Sequence, residues 1–180
     1  SALAQVTAVA AQTAGDADGF RQLGAPQERL SVMGNLKFDL QLPDTLKQEG
    51  RALRTKQFGK STVIVAGSTR EDEEVQVLSA YRELLGKHPD CVLVLAPRHP
   101  QRTNNVAELI KNQGYVCRRR SAGESVLKPG EVLLLDTLGE LTRFYAAAHV
   151  VFVGGSLVPV GGHNLLEPAA LGLPVLAGPH

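Results

Sequence analysis

Short solid apolar runs alternate along the chain with stretches in which apolar residues return every three or four positions. Four runs stand out, at 63–66, 91–96, 132–135 and 150–153, each four to six residues long and rich in Val and Leu. A run without polar alternation suits a strand buried on both faces, as in a parallel sheet. Between the runs the spacing predicts helices. Over 71–85 (EDEEVQVLSAYRELL), Val75, Leu78, Tyr81, Leu84 and Leu85 recur at helical spacing, and over 103–113 Val106, Leu109 and Ile110 share a face. Shorter helices are predicted over 140–148 and 165–171, with Pro174 beyond the second as a stop. Segments 114–118 and 175–177 read as further strands. Strand and helix in alternation predict an α/β fold, a doubly wound parallel sheet with helices on both faces.

The first sixty residues break this pattern. Segment 8–23 reads as a helix stopped by Gly24, 31–40 as strand-like and then turning, and 42–50 as a short helix. Segment 50–60 is basic and polar. Residues 1–60 therefore read as a connecting or edge region, and 61–180 as the sheet.

Composition narrows the function. The chain has 180 residues, 43% hydrophobic, 21% charged and 4% aromatic, enough for one domain or one domain plus part of another. Lys plus Arg is 19 and Asp plus Glu is 18, a net charge of +1, which argues against bulk capture of nucleic acid. With no Trp, a stacking platform for single strands is not expected. Two cysteines, Cys91 and Cys117, make no disulfide scaffold. No apolar run approaches the ~20 residues that cross a bilayer, and the opening SALAQVTAV lacks the features of a signal peptide. A soluble chain is expected. Its start at Ser1 and its end on the strand-like LPVLAGPH point to a piece of a longer protein.

In open α/β sheets ligands bind beyond the carboxyl ends of the strands. The segments following the predicted strands are AGSTRE (66–71), APRHPQR (96–102), DTLGEL (136–141) and GGSLVPVGGHNLLEP (154–168), all rich in Gly, Pro, Arg, His and hydroxyl residues. Ser68 with Glu71 fits a capping box at a helix start, whose free N–H groups suit an anion as well as ordinary capping. Pro97 and Pro100 stiffen a loop presenting Arg98, suited to a bidentate grip on phosphate, and His99. Asp136 or Thr137 is expected to cap the helix after 135. The pairs Gly154-Gly155 and Gly161-Gly162 flank Ser156 and precede His163 and Asn164, and Glu167 falls on the first turn of the next helix. There it suits a ribose diol, or merely the helix dipole. Glu73 reads as an ordinary helix-face carboxylate. Arg118-Arg119-Arg120 reads as a solvated charge run or a contact for acidic lipid. There is no G-x-G-x-x-G after the first strand, no P-loop, no G-x-S-x-G and no metal-ligand spacing.

At these segments the sequence resembles a known family. GNLKFDL (34–40), AGSTRE, PRHPQR, DTLGEL, FVGGSL (152–157) and GGHNLLEPAALGLPVLAGPH (161–180) are similar, in order and spacing, to the C-terminal half of the 3-deoxy-D-manno-octulosonic acid (Kdo) transferases of lipopolysaccharide synthesis. The resemblance implies the C-terminal domain of a GT-B glycosyltransferase, a Rossmann-like domain binding the donor CMP-Kdo. It implies that Pro97, Arg98, Leu138, Gly139, Glu140, Asn164, Leu165, Leu166 and Glu167 contact CMP, with Arg98 and the helix starts meeting the phosphate and Glu167 the ribose. Ser68, Thr69, His99, Gly155, Ser156 and His163 would lie near the phosphate or sugar. It further implies inverting transfer to a lipid A precursor (lipid IVA) without a metal or other cofactor, and an N-terminal acceptor domain carrying the catalytic glutamate. It places the parent enzyme at the cytoplasmic face of the bacterial inner membrane. On this reading residues 1–60 are the end of that N-terminal domain and the linker. Residues 61–180 are then a donor domain cut before its last helices, inactive by itself. Two alternatives are the donor domain of another GT-B enzyme (a UDP-sugar transferase or epimerase) and a non-catalytic flavodoxin-like binding module.

Overall fold

The computed structural model describes residues 2–34, 42–123 and 126–180. It divides into two units, Ser1–Gln41 and Leu42–His180. The break therefore falls at 41/42, not at 60/61.

The first unit is a small βαβ element. β1 (Val9–Ala11) and β2 (Leu30–Val32) pair in parallel around α1 (Ala14–Gln22). The expected single helix over 8–23 is thus a strand followed by a helix. Thr13 makes the division: its Oγ1 accepts from Asp16 N at 3.1 Å and Asp16 Oδ2 accepts from Thr13 N at 3.0 Å, a reciprocal cap that fixes the helix start beyond the Ala-rich run. Of the strand-like 31–40, residues 35–40 lie outside the described residues.

The second unit is a six-stranded sheet. β3 (Thr62–Thr69), β4 (Cys91–Pro97), β5 (Cys117–Arg119), β6 (Val132–Leu134), β7 (Val150–Val153) and β8 (Val175–Leu176) are all parallel, in the order β5-β6-β4-β3-β7-β8. The period of two along each strand sorts the core into halves. Val63, Val65, Val92, Val94, Leu133, Val151 and Val153 face one side, and Ala66, Leu93, Leu95, Val132 and Leu134 the other. α2 (Asp44–Leu53), α5 (Leu141–Ala147) and α6 (Leu166–Ala170) cover the first side; α3 (Glu73–Lys87) and α4 (Thr103–Asn112) cover the second. On the second side an apolar groove of about 640 Å³ runs past Ile64, Val77, Leu84, Phe152 and Leu176.

The segment read as a polar connection belongs to this sheet. α2 runs into a π-helical turn, Arg54–Phe58, that buries Leu53 and Phe58 in the core. Arg54 donates from Nε to Ala147 O at 2.7 Å and from Nη2 to Ala148 O at 2.8 Å, closing the carbonyl end of α5. His149 completes the join, accepting at Nδ1 from Val63 N at 2.9 Å; burial first, then Arg54, holds its pKa below the usual histidine value.

Gly50 lets α2 cross α5 at backbone contact: a Cβ there would lie 2.4 Å from the Ala146 carbonyl carbon and oxygen. Gly50→Ala should therefore cost about 1–3 kcal/mol in chemical denaturation. Gly86→Ala, on α3 with open space around it, should be neutral or stabilising by up to about 1 kcal/mol. Equal effects would show that the α2–α5 crossing is not tight.

Candidate functional site

After β3 the chain runs outward to β4, β5 and β6, then returns beside β3 as β7. This reversal creates a crevice at the carboxyl ends of β3 and β7, the place where doubly wound sheets hold ligands. All four glycine- and proline-rich loops lie at that edge.

The β3–α3 loop differs from the predicted capped helix start. α3 begins at Glu73, so Ser68 and Thr69 belong to the strand. The ladder shifts register between Gly67 and Thr69, and Ser68 takes φ +56, a left-handed conformation that re-aims it into the crevice. Thr69 is fully buried and its hydroxyl donates to Glu74 Oε1 at 3.0 Å. Gly67 is needed for space, since a Cβ would meet the Tyr145 hydroxyl at 2.0 Å.

Glu73 is the residue the sequence reading placed wrongly. It is fully buried, and its carboxylate accepts four backbone N–H bonds: from Arg70 at 2.7 Å, Gly155 at 2.7 Å, Ser156 at 2.9 Å and Leu157 at 2.8 Å. Burial pushes its pKa up, but these four bonds outweigh burial and hold it below the ordinary glutamate value. Gly154 lets the turn come this close, because a Cβ would sit 2.5 Å from Ser68 O and 2.8 Å from Glu73 Oε2. In sequence Glu73 is one acid among Glu71, Asp72 and Glu74, and only the demand of a glycine turn for an internal anion hinted at it. Its neighbour Glu74, also buried, accepts from Nη1 and Nη2 of Arg102, at 2.8 and 3.1 Å.

In the β4–α4 loop Arg98 is exposed, and its N–H is fixed on Thr69 O at 2.9 Å. His99 turns its Nε2 toward Arg70 Nη1, 3.0 Å away. After β6, Asp136 does not cap α5. It accepts from Arg119 Nε at 2.8 Å and from Ser121 N and Oγ at 2.8 and 2.6 Å. Thr137 donates to Glu140, whose carboxylate is forked by Arg120 at 3.0 and 2.6 Å. Arg120, then Thr137, lowers the Glu140 pKa against the opposing effect of burial. The three arginines read as a solvated or lipid-facing run are instead spent on Glu131, Asp136 and Glu140.

In the β7–α6 loop Ser156 is buried, donating to Val153 O at 2.7 Å and accepting from Gly178 N at 2.8 Å. Gly155 sits under the His163 imidazole, which a Cβ would meet at 2.9 Å. Asn164 Oδ1 accepts from Leu166 N at 3.0 Å and shapes the entry to α6. Glu167 stands on the first turn of α6 and accepts from Thr142 Oγ1 at 2.7 Å.

These loops enclose a cleft of about 280 Å³ lined by Ser68, Arg98, Gly139, His163, Asn164 and Glu167, six of the residues expected at the site. Leu141 completes the wall with Thr142 and Tyr145, two residues that no sequence signal singled out. A second cleft of about 180 Å³ shares Ser68, Arg98 and Gly139 and adds Pro97 and Leu138. Leu138 is 81% exposed, the most exposed large apolar side chain among the described residues. Thr69, Gly155 and Ser156 lie inside the protein instead. Among the described residues no group of three or more His, Cys, Asp or Glu side chains is disposed to hold a metal ion. No helix among them is long and apolar enough to cross a membrane.

Comparison with known proteins agrees with this fold and shows the family. A family model described as 3-Deoxy-D-manno-octulosonic-acid transferase (kdotransferase) matches residues 1–40. The 3-deoxy-D-manno-octulosonic acid transferase of Haemophilus influenzae is 40% identical over 176 residues, 98% of this chain and 41% of that protein. The Bordetella pertussis enzyme of the same name is 42% identical over 188 residues, 99% of this chain and 42% of that protein. The chain thus spans about two fifths of the length of these relatives. The crystal structure of the C-terminal CMP-Kdo binding domain of WaaA from Acinetobacter baumannii superposes with a TM-score of 0.67 at 37% identity, covering 73% of this chain and 69% of that one.

Replacing Glu73 tests the loop anchor. Glu73→Gln turns an amide N–H₂ toward backbone donors and should cost roughly 2–4 kcal/mol at neutral pH in chemical denaturation. Because the folded pKa is lowered, the ionised group's contribution is complete above the unfolded value of about 4.3 and fades as pH falls through the folded one. The parent should therefore lose stability on acidification below about pH 4.3 more steeply than the variant. A variant as stable as its parent would remove the anchor.

Proposed function

The chain belongs to the 3-deoxy-D-manno-octulosonic acid transferase family, and from that premise we propose that its strand-end cleft takes the CMP part of a CMP-Kdo donor. The observation that carries the reading is the convergence of Arg98, His163, Asn164 and Glu167, from two separate loops, on one cleft. Arg98 is exposed and has no carboxylate partner among the described residues, so its guanidinium is available to fork a phosphate. Glu167 keeps acceptor capacity beyond its bond from Thr142 and suits the ribose diol. Leu138 offers an apolar surface to the base. Gly139 allows close backbone approach, while Glu140, its carboxylate committed to Arg120, has only its backbone to offer. Pro97 lines the adjoining cleft, whereas Leu165 and Leu166, also expected at the site, line neither cleft.

When the bond from the sugar carbon to the CMP oxygen breaks, negative charge grows on the phosphate. A fixed cation and fixed N–H donors aimed there bind that state more tightly than the ground state. α5 and α6 have seven and five residues, so side chains carry more of this work than helix ends. We infer that transfer inverts the anomeric centre and that these side chains need no metal or other cofactor.

In the longer enzyme we infer a GT-B architecture, with this donor domain following an N-terminal acceptor domain of which residues 1–41 are the end. That domain would bring the lipid A precursor and a catalytic glutamate, at the cytoplasmic face of the bacterial inner membrane. The chain by itself is then a nucleotide-binding piece that does not transfer sugar.

Titrating CMP into the isotope-labelled chain should shift amide signals at 97–98, 138–140 and 163–167, with CMP preferred over UDP. Glu167→Ala should weaken CMP about tenfold, the loss of one or two hydrogen bonds to an ionised acceptor. Glu108→Ala, on the exposed face of α4, should change nothing. Absence of shifts at saturating CMP would sink the proposal.

A further inference from the structure

Six arginines lie on β5 or in the segments that follow β3, β4 and β5, and their partners divide them into two classes. Arg102 is spent on Glu74, Arg118 on Glu131, Arg119 on Asp136 and Arg120 on Glu140. Arg98 and Arg70 have no carboxylate partner among the described residues. Arg98 is already given the phosphate. Arg70 has no assigned role, and its surroundings are specific.

Arg70 follows the bulge at the end of β3 and is half-buried. Its Nε donates to His163 Nε2 at 3.2 Å and its Nη1 faces His99 Nε2 at 3.0 Å. A guanidinium only donates, so both ring nitrogens accept and both imidazoles are neutral in this arrangement. Burial, then Arg70 and Arg98, keeps the His163 pKa low, which favours that neutral state. Two neutral rings fix the guanidinium in place without cancelling its charge. Of its five N–H donors, three remain without a partner among the described residues.

His163 lines the cleft together with Arg98 and Glu167, and Arg70 lies against the His163 ring nitrogen without lining that cleft itself. Through His163, Arg70 borders the cleft that Arg98 and Glu167 line. We propose that Arg70, propped by His163 and His99, is a second anion site that holds a carboxylate on the sugar of the donor, distinct from the phosphate grip of Arg98. The inference rests on the donor reading above, under which the sugar is itself an acid. It gives the site a means of selection, since a neutral sugar leaves the half-buried Arg70 cation without a counter-charge.

The test compares CMP with freshly prepared CMP-Kdo on the parent chain, Arg70→Gln and Arg70→Lys, with amide spectra confirming that each is folded. The parent should bind CMP-Kdo about tenfold more tightly than CMP, the worth of one charge-assisted pair. Arg70→Gln should bind CMP within about twofold of the parent and lose the tenfold gain, while Arg70→Lys, keeping the charge but not the fork, should retain part of it. If Arg70→Gln weakens both ligands by the same factor, Arg70 serves the phosphate or merely props the loops, and the carboxylate site is wrong. Should Arg70→Gln not fold, a CMP-Kdo gain unchanged in Arg70→Lys overturns the proposal and a reduced one supports it. If the parent binds neither ligand, the donor reading falls and this site with it. If it binds both equally, only the second anion site falls.

Discussion

Three successive N–H groups of the turn at 155–157, with that of Arg70, converge on the buried carboxylate of Glu73, and the strand-end loops take their positions from that convergence. A turn presenting several N–H groups in one direction is an anion nest. Here the protein fills the nest with its own anion, 82 residues away in sequence from Gly155. The carboxylate is fully desolvated, so losing its partners would leave an unpaired buried charge. That cost makes the joint between the β3 and β7 loops hard to open. With the joint fixed, Gly155 supports the His163 ring and His163 supports Arg70.

A second layer of charge pairs fixes the remaining loops. Arg102 and Glu74 tie the β4–α4 loop to the start of α3, with Glu74 1% exposed. Arg119 and Arg120 bind Asp136 and Glu140 and so hold the segment leading to α5. Such pairs, costly to desolvate, add little to net stability, and the half-exposed ones add least. Their effect is on geometry. They also consume guanidinium groups, which is why the two left without carboxylates are the ones proposed to meet anions.

The apolar strands, the alternation with helices and the edge where ligands gather were legible in the sequence because each depends on local periodicity. A strand buried on both faces must be apolar throughout, and the loops after such strands must carry the chemistry. The segments that carry the glycine pairs, Arg98, His163 and Glu167 could be picked out for that reason. The membership of α2 and the π-helical turn in the sheet was not legible, because Phe58 and Leu53 are isolated apolar residues in a polar segment and only their burial reveals them. The strand at Val9–Ala11 was hidden for a similar reason: three residues cannot show a period, and only pairing with β2 defines them.

By itself, then, the sequence determined the fold class, the family and the loops that meet at the site. The tertiary structure decided which charges in those loops remain available. Glu73 and Glu167 are both acids in the first turn of a helix, yet one is sealed beneath four N–H groups and the other lines the cleft. Arg118, Arg119 and Arg120 form a run in sequence, yet each meets its own carboxylate. Whether a charge is spent or free depends on partners brought close through space, and pairing across such separations leaves no periodic trace in the chain.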